Sequence, residues 1–296
     1  MVSLSELWNR TVDLAVHDAE LGLSLDPSHL GFAEADFRAL DPRLMDALKA
    51  MAELEGGAVA NPDEDRMVGH YWLRAPDLAP SPDLARAITE TKKRVADLVG
   101  EVARGGIAPR GGGRFTTVVV VGIGGSSLGP MLVVDALAAA DGAAVHFLDN
   151  TDPDGVDRLL ENVVLSETLT VVISKSGGTK ETRNGMLELK AAYEAAGIVF
   201  GAHALAITGT ESKLDRFAEE HGFLARLPMW DWVGGRTSVT SAVGLVPAGL
   251  AGVDIDAFLD GAAQMDRWTR EPDPKRNPAT VLAAAWFLVG EGRGER

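Results

Sequence analysis

Ser174, Lys175, Ser176, Gly177, Gly178 and Thr179 follow one another in the stretch "VISKSGGTKET", directly after an apolar run. Glycines there leave backbone N–H groups unobstructed, and Ser174, Ser176 and Thr179 add hydroxyls to them. Amides and hydroxyls converging on one point suit a tetrahedral oxyanion such as a phosphate. Lys175, Lys180 and Arg183 bring positive charge to the same loop. The spacing is not that of a P-loop, because no G-x-x-x-x-G-K-[ST] is present. A polar turn capped by Thr179, with its lysines in water, is the plainer reading of the same residues.

A second stretch, "VGIGGSSLGP" (121–130), has the same character. Gly122, Gly124 and Gly125 allow close backbone approach. Ser126 and Ser127 place hydroxyls where a helix opens, and a helix N-terminus favours anions. Two other readings stand beside this one. The glycines could serve only a tight turn, or they could be a dinucleotide fingerprint. Gly122 and Gly124 fit the first two glycines of G-x-G-x-x-G, but Ser127 stands at the third; Asp149 is placed to meet a ribose. A third stretch, "MWDWVGGRTSVTSAVGL", holds Arg236 behind Gly234 and Gly235 and ahead of a helix start, with Thr237 or Ser238 as its cap. An arginine so placed can stabilise an oxyanion; a surface ion pair is the alternative.

The elements that must carry these loops are legible from periodicity. "FTTVVVV", "AVHFLD", "TLTVVIS", "HALAIT" and the short "GFLARLP" read as strands, each followed by a helical stretch. Unbroken apolar strands alternating with helices indicate an α/β fold: a doubly wound, parallel, five-stranded sheet flanked by helices on both faces. Ligands then sit at the carboxyl ends of the strands, near the switch point, where the first two loops lie. Residues 1–114 read as a mainly helical N-terminal segment. Ser3 and Glu6 form a capping box, and Ser81 with Pro82 opens the long helix "SPDLARAITETKKRVADLVGEV". Residues 115–252 form the α/β domain, and 253–296 return to helices.

Composition limits what the loops can serve. The 296 residues are 46% hydrophobic, which is globular, and contain no cysteine, which excludes disulfides and thiolate chemistry. The net charge of −15 argues against a nucleic-acid partner. An anionic ligand would need a local positive field against the global one. The N-terminus lacks the pattern of a signal peptide, and "VLAAAWFLVG" is short of the about 20 residues of a membrane span. These features read as a cytoplasmic protein with no membrane partner.

Taken together, the three stretches resemble the glucose-6-phosphate isomerase family, of the sugar-isomerase (SIS) fold. The family's "GIGGS-x-LGP", "SK-x-x-x-T-x-ET" and "GGR-x-S-x-x-SA-x-GL" patterns stand here in the same order as "GIGGSSLGP", "SKSGGTKET" and "GGRTSVTSAVGL". The resemblance implies that Ser126, Ser174, Ser176 and Thr179 bind a sugar's 6-phosphate through hydroxyls, and Lys175 through its backbone N–H. It implies that Gly125 lies along the sugar and that Arg236 stabilises an enediolate. It further implies a homodimer, and a small-molecule sugar phosphate as the partner, with neither metal nor other cofactor. Where family members often carry Thr-Phe-Thr, this chain has Ser-Gly-Gly. A donor survives at Ser176, but an aromatic wall is lost.

Isomerisation also needs a base for the proton at carbon 2. In the family that glutamate, a ring-opening histidine and a late lysine lie in a second domain downstream of the arginine segment. None of the six histidines here sits in a matching context. Glu181 lies in the first turn of a helix, where negative charge is favourable, and reads as orienting the loop. The expectation is therefore a phosphate-holding portion with little turnover alone. The reading from another functional class is a non-catalytic sugar-phosphate-binding regulatory module.

Overall fold

The computed structural model describes residues 3–30, 32 and 34–290. Residues 291–296 lie outside them. In chain order the elements are α1 (Leu4–Leu14), β1 (Val16–Asp18), β2 (Leu23–Leu25), α2 (Glu34–Ala39), α3 (Asp41–Glu55), β3 (Val59–Asn61), β4 (Arg66–Met67) and α4 (Pro82–Arg104). There follow β5 (Thr117–Val121), α5 (Leu128–Leu137), β6 (Ala144–Leu148), α6 (Pro153–Asn162), β7 (Thr168–Ser174), α7 (Lys180–Ala195) and β8 (Ala204–Thr208). The last are α8 (Lys213–Glu220), β9 (Ala225–Pro228), α9 (Ala242–Leu250), α10 (Ile255–Thr269) and α11 (Pro278–Val289). Two compact units emerge: the described residues of 1–58 with 260–296, and 59–259.

In the larger unit, β5 to β9 form one parallel sheet in the order β6-β5-β7-β8-β9. The fold is therefore the doubly wound, five-stranded α/β sheet read from the sequence. Strand alternation explains its two cores. Val118 and Val120 of β5, Leu169, Val171 and Ile173 of β7, and Leu205 and Ile207 of β8 face one side. There they meet Val95, Leu98 and Val102 of α4 and Val243, Val246 and Leu250 of α9. Val119, Val121, Val172, Ala204 and Ala206 face the other side, against α6, α7 and α8 through Val156, Met186, Leu189, Tyr193 and Leu214. Each residue step along a strand reverses the face, so an apolar run with no polar break is what burial on both sides demands.

The helix α4 starts as its sequence requires: the Ser81 hydroxyl accepts from the Leu84 N–H, and Pro82 occupies the first turn. Its apolar stripe belongs to the sheet's core, so residues 59–114 group with the sheet although their texture matches the segment before them. Residues 1–114 also hold two short antiparallel hairpins, β1–β2 and β3–β4, which the sequence did not reveal. In the smaller unit the capping box at Ser3 and Glu6 is formed, and Leu14, Phe37 and Leu44 pack with Val281 and Ala284 of α11. Among the described residues, no helix is long and apolar enough to cross a membrane.

Candidate functional site

The strand order reverses direction at β5 and β7. The chain leaves β5 leftward to β6 and leaves β7 rightward to β8, so a crevice opens between their carboxyl ends. The first loop, 122–127, leaves β5, and the second, 175–179, leaves β7. The root of the first loop lies against the end of β7. A side-chain carbon on Gly122 would stand 3.4 Å from the Ile173 carbonyl and 2.9 Å from Cβ of Ser126. Glycine at 122 is thus a packing requirement.

The first loop also meets the arginine segment, backbone to backbone. A Cβ on Gly125 would lie 2.2 Å from the carbonyl oxygen of Gly235, and the Ser238 hydroxyl donates to the Gly125 carbonyl at 3.2 Å. Residues 235–240 form a 3₁₀ turn, and α9 begins after it. The helix cap is accordingly Ser241, whose hydroxyl accepts from the Val243 N–H, and neither Thr237 nor Ser238 serves. Their hydroxyls close the turn instead, donating to the Gly234 and Gly235 carbonyls. Arg236 projects from this turn, exposed, with no hydrogen bond or ion pair among the described residues.

In the second loop, the buried Ser174 hydroxyl accepts from the Gly177 N–H at 3.1 Å and lies 3.4 Å from Oγ1 of Thr179. Oγ of Ser176 accepts from the Gly178 N–H at 3.1 Å. Thr179 occupies the cap position of α7, yet its side chain makes no capping bond, so it is turned to Ser174 and not to the helix. Gly177 has φ of +63°, and a Cβ there would meet the Leu214 amide nitrogen at 2.2 Å; glycine is obligatory on both counts.

Ser174 and Thr179 line a cavity of about 120 Å³ floored by Val172, Met186, Leu214 and Phe217. Ser126, Ser176, Lys175 and Arg236 are not in its walls. Strand parity is the reason: Ser174 has the same facing as Val172 and points between α7 and α8. Gly125 and Arg236, with Ser238, gather at the mouth of β5. The candidate residues thus stand in two groups on either side of the switch point, joined at the Gly122–Ile173 root.

Cations gather on and beside the loops, together with the exposed carboxylate of Glu181. Lys180, Arg183, Lys213 and Arg236 are all exposed, and among the described residues none forms an ion pair. Lys175 is half-buried; its Nζ donates to the Asp231 carbonyl at 3.0 Å. Burial lowers the Lys175 pKa from the ordinary lysine value, and Arg66 lowers it further, against the raising pull of Asp231 and Glu64. This side-chain contact carried no signal in the sequence, where Lys175 offered only its charge and its backbone N–H. Trp232 is buried, stacked on Trp230 at 4.9 Å and packed on Trp72 at 5.3 Å. His203, also buried, uses Nδ1 toward the Thr168 carbonyl at 3.0 Å, which is a core role.

Comparison with known proteins decides the family. The phosphoglucose isomerase family pattern matches residues 39–290. The chain belongs to that family. The glucose-6-phosphate isomerase of Citrifermentans bemidjiense is 53% identical over 294 residues, which is 98% of this chain and 56% of that protein. The glucose-6-phosphate isomerase of Nostoc punctiforme is 51% identical over 293 residues, with the same coverage. The chain therefore spans a little over half the length of these curated phosphoglucose isomerase relatives. Among solved structures, a glucose-6-phosphate isomerase from Chlamydia trachomatis superposes with a TM-score of 0.86 at 26% identity, covering 99% of this chain and 57% of that one. A hypothetical protein from Thermus thermophilus superposes with a TM-score of 0.57, also at 26% identity, over 86% of this chain and 55% of that one.

Proposed function

We propose that this chain is the phosphate-holding part of a glucose-6-phosphate isomerase, which interconverts glucose 6-phosphate and fructose 6-phosphate through an enediolate. The hydroxyls of Ser126, Ser174, Ser176 and Thr179 and the backbone N–H of Lys175 bind the 6-phosphate. Gly125 runs along the sugar, and Arg236 stabilises the enediolate that forms at carbons 1 and 2, whose negative charge develops on oxygen. The observation that supports this most is the pair of hydroxyl- and glycine-rich loops flanking the switch point, with four uncommitted cations around them.

The proton transfer at carbon 2 needs a carboxylate, and the reading places it in the stretch of the longer relatives that this chain does not span. Alone, the chain binds sugar phosphate and turns it over little or not at all. We place it in the cytoplasm, as a homodimer.

The phosphate role is tested by calorimetric titration of glucose 6-phosphate into the chain and into Ser176→Ala and Thr179→Ala. Each loss of a hydrogen bond to a charged group should weaken binding by about 1–3 kcal/mol. Unchanged affinity in the double variant removes the loop from the site. A coupled isomerase assay tests the second half: full turnover by the 296-residue chain would mean that its base lies within it.

A further inference from the structure

Lys175 is fixed at its backbone and committed at its tip. Its carbonyl accepts from the Gly209 N–H at 3.0 Å, which pins the residue to the end of β8. Four methylenes away, the ammonium donates to the Asp231 carbonyl. Asp231 sits between Trp230 and Trp232, whose rings stack at 12°. That segment is itself anchored: the Trp232 carbonyl accepts from the Gly69 N–H at 3.0 Å, and the Val233 N–H donates to the Trp230 carbonyl at 3.2 Å. Gly234 and Gly235 come next, then Arg236. Lys175 thereby supplies a side-chain link from the second loop to the stretch of chain that delivers the arginine.

The position is costly for a lysine that only needs solvation. Its side chain is partly withdrawn from water, and the charged groups around it, Asp231, Glu64 and Arg66, are of mixed sign. An exposed ammonium would hold a phosphate as a point charge; this one is spent on a main-chain oxygen.

We propose that the Lys175 side chain is a positioning residue: it tethers the Trp230–Arg236 segment to the second loop, so that a phosphate seated on the loop also sets where Arg236 stands. The tether acts through Asp231 and does not touch the reacting carbons. Its link to phosphate rests on the function proposed above, and the experiment separates the two.

Amide hydrogen exchange by mass spectrometry is measured for the parent chain, Lys175→Met and Lys175→Arg, without ligand and with saturating glucose 6-phosphate. Without ligand, Lys175→Met should speed exchange over residues 231–237 about tenfold, as expected when one anchoring hydrogen bond is removed. Lys175→Arg, which keeps a donor and the charge, should restore the slow rate. The near-ultraviolet circular dichroism of the stacked Trp230–Trp232 pair should lose amplitude in Lys175→Met and regain it in Lys175→Arg. With glucose 6-phosphate, protection should spread from 174–180 to 231–237 in the parent and in Lys175→Arg, and stop at 174–180 in Lys175→Met. Equal exchange at 231–237 in the parent and Lys175→Met overturns the tether. So does ligand protection of 231–237 that survives in Lys175→Met. Faster ligand-free exchange in Lys175→Met, with no effect of glucose 6-phosphate on any variant, upholds the tether and removes the phosphate reading.

Discussion

Gly125→Ala tests whether the first loop and the arginine segment are held together by bare backbone. The added Cβ would lie 2.2 Å from the Gly235 oxygen, 2.4 Å from its carbon and 2.7 Å from its Cα. All three are main-chain atoms, so no side chain can swing aside. The φ of Gly125 is not positive, so the penalty comes from the neighbour and not from the residue's own conformation. Relief requires the two loops to part until the separation reaches at least 3.0 Å. Overpacking of this kind costs about 1–3 kcal/mol. Parting also strains the Ser238 bond to the Gly125 carbonyl, a further contribution of about 1 kcal/mol. Urea unfolding followed by circular dichroism should therefore show a loss of about 2–4 kcal/mol. Gly261→Ala is the control. It lies in α10, nothing stands within 4 Å of its added Cβ, and it should gain about 0.5–1 kcal/mol from helix propensity alone. Gly125→Ala within 0.5 kcal/mol of the parent, an effect no larger than about that of a neutral surface change, would refute the close-approach argument.

Tyr193 is fully buried, its hydroxyl donating to the Thr168 carbonyl at 2.9 Å, and burial pushes its pKa up to about 12. A phenol kept neutral by folding stabilises fully below pH 10, the ordinary value, and that contribution is lost as pH rises toward 12. Unfolding free energy should fall by up to roughly 3 kcal/mol across that window, and Tyr193→Phe should flatten the fall; the same slope in the variant would dismiss this residue as its source. Thr182 Oγ1 is buried without a hydrogen-bond partner among the described residues, so Thr182→Val should be neutral or stabilise by up to about 1 kcal/mol in the same urea assay. A clear destabilisation would mean that the hydroxyl is in use. Arg270 binds the Glu55 carboxylate through Nε at 2.8 Å and Nη2 at 2.5 Å, both side chains mostly shielded. Arg270→Met should cost about 1–3 kcal/mol in thermal or urea unfolding, and a loss below 0.5 kcal/mol, about the value of an exposed pair, would show that the pair is merely superficial.

The sheet was readable because its strands are buried on both faces and therefore carry unbroken apolar runs that end in glycine. Val118–Val121 and Leu169–Ile173 admit little else once helices lie between them. The site loops were readable for a related reason: glycine and hydroxyl residues cluster only where backbone must approach something closely. What the sequence hid is whatever depends on distant partners. Val59–Asn61 and Arg66–Met67 are too short for alternation to show. The cap of α9 went to Ser241 because a 3₁₀ turn, indistinguishable from a first helical turn by residue type, precedes it. Thr179 was legible as a cap position but not as a partner of Ser174, since the local bond competes with the helix end. No pattern could announce that Lys175 reaches a carbonyl 56 residues away.

Ser174 owes its facing to a count of residues. Removing one from β7 would hand its hydroxyl to the α4 and α9 side and turn Ile173 toward α7, exchanging a polar group for an apolar one on each side at once. Helices α6 and α7 can lengthen by a turn at their far ends without disturbing anything near Thr179. The length of this central strand is therefore held by chemistry, while the lengths around it are left to packing alone.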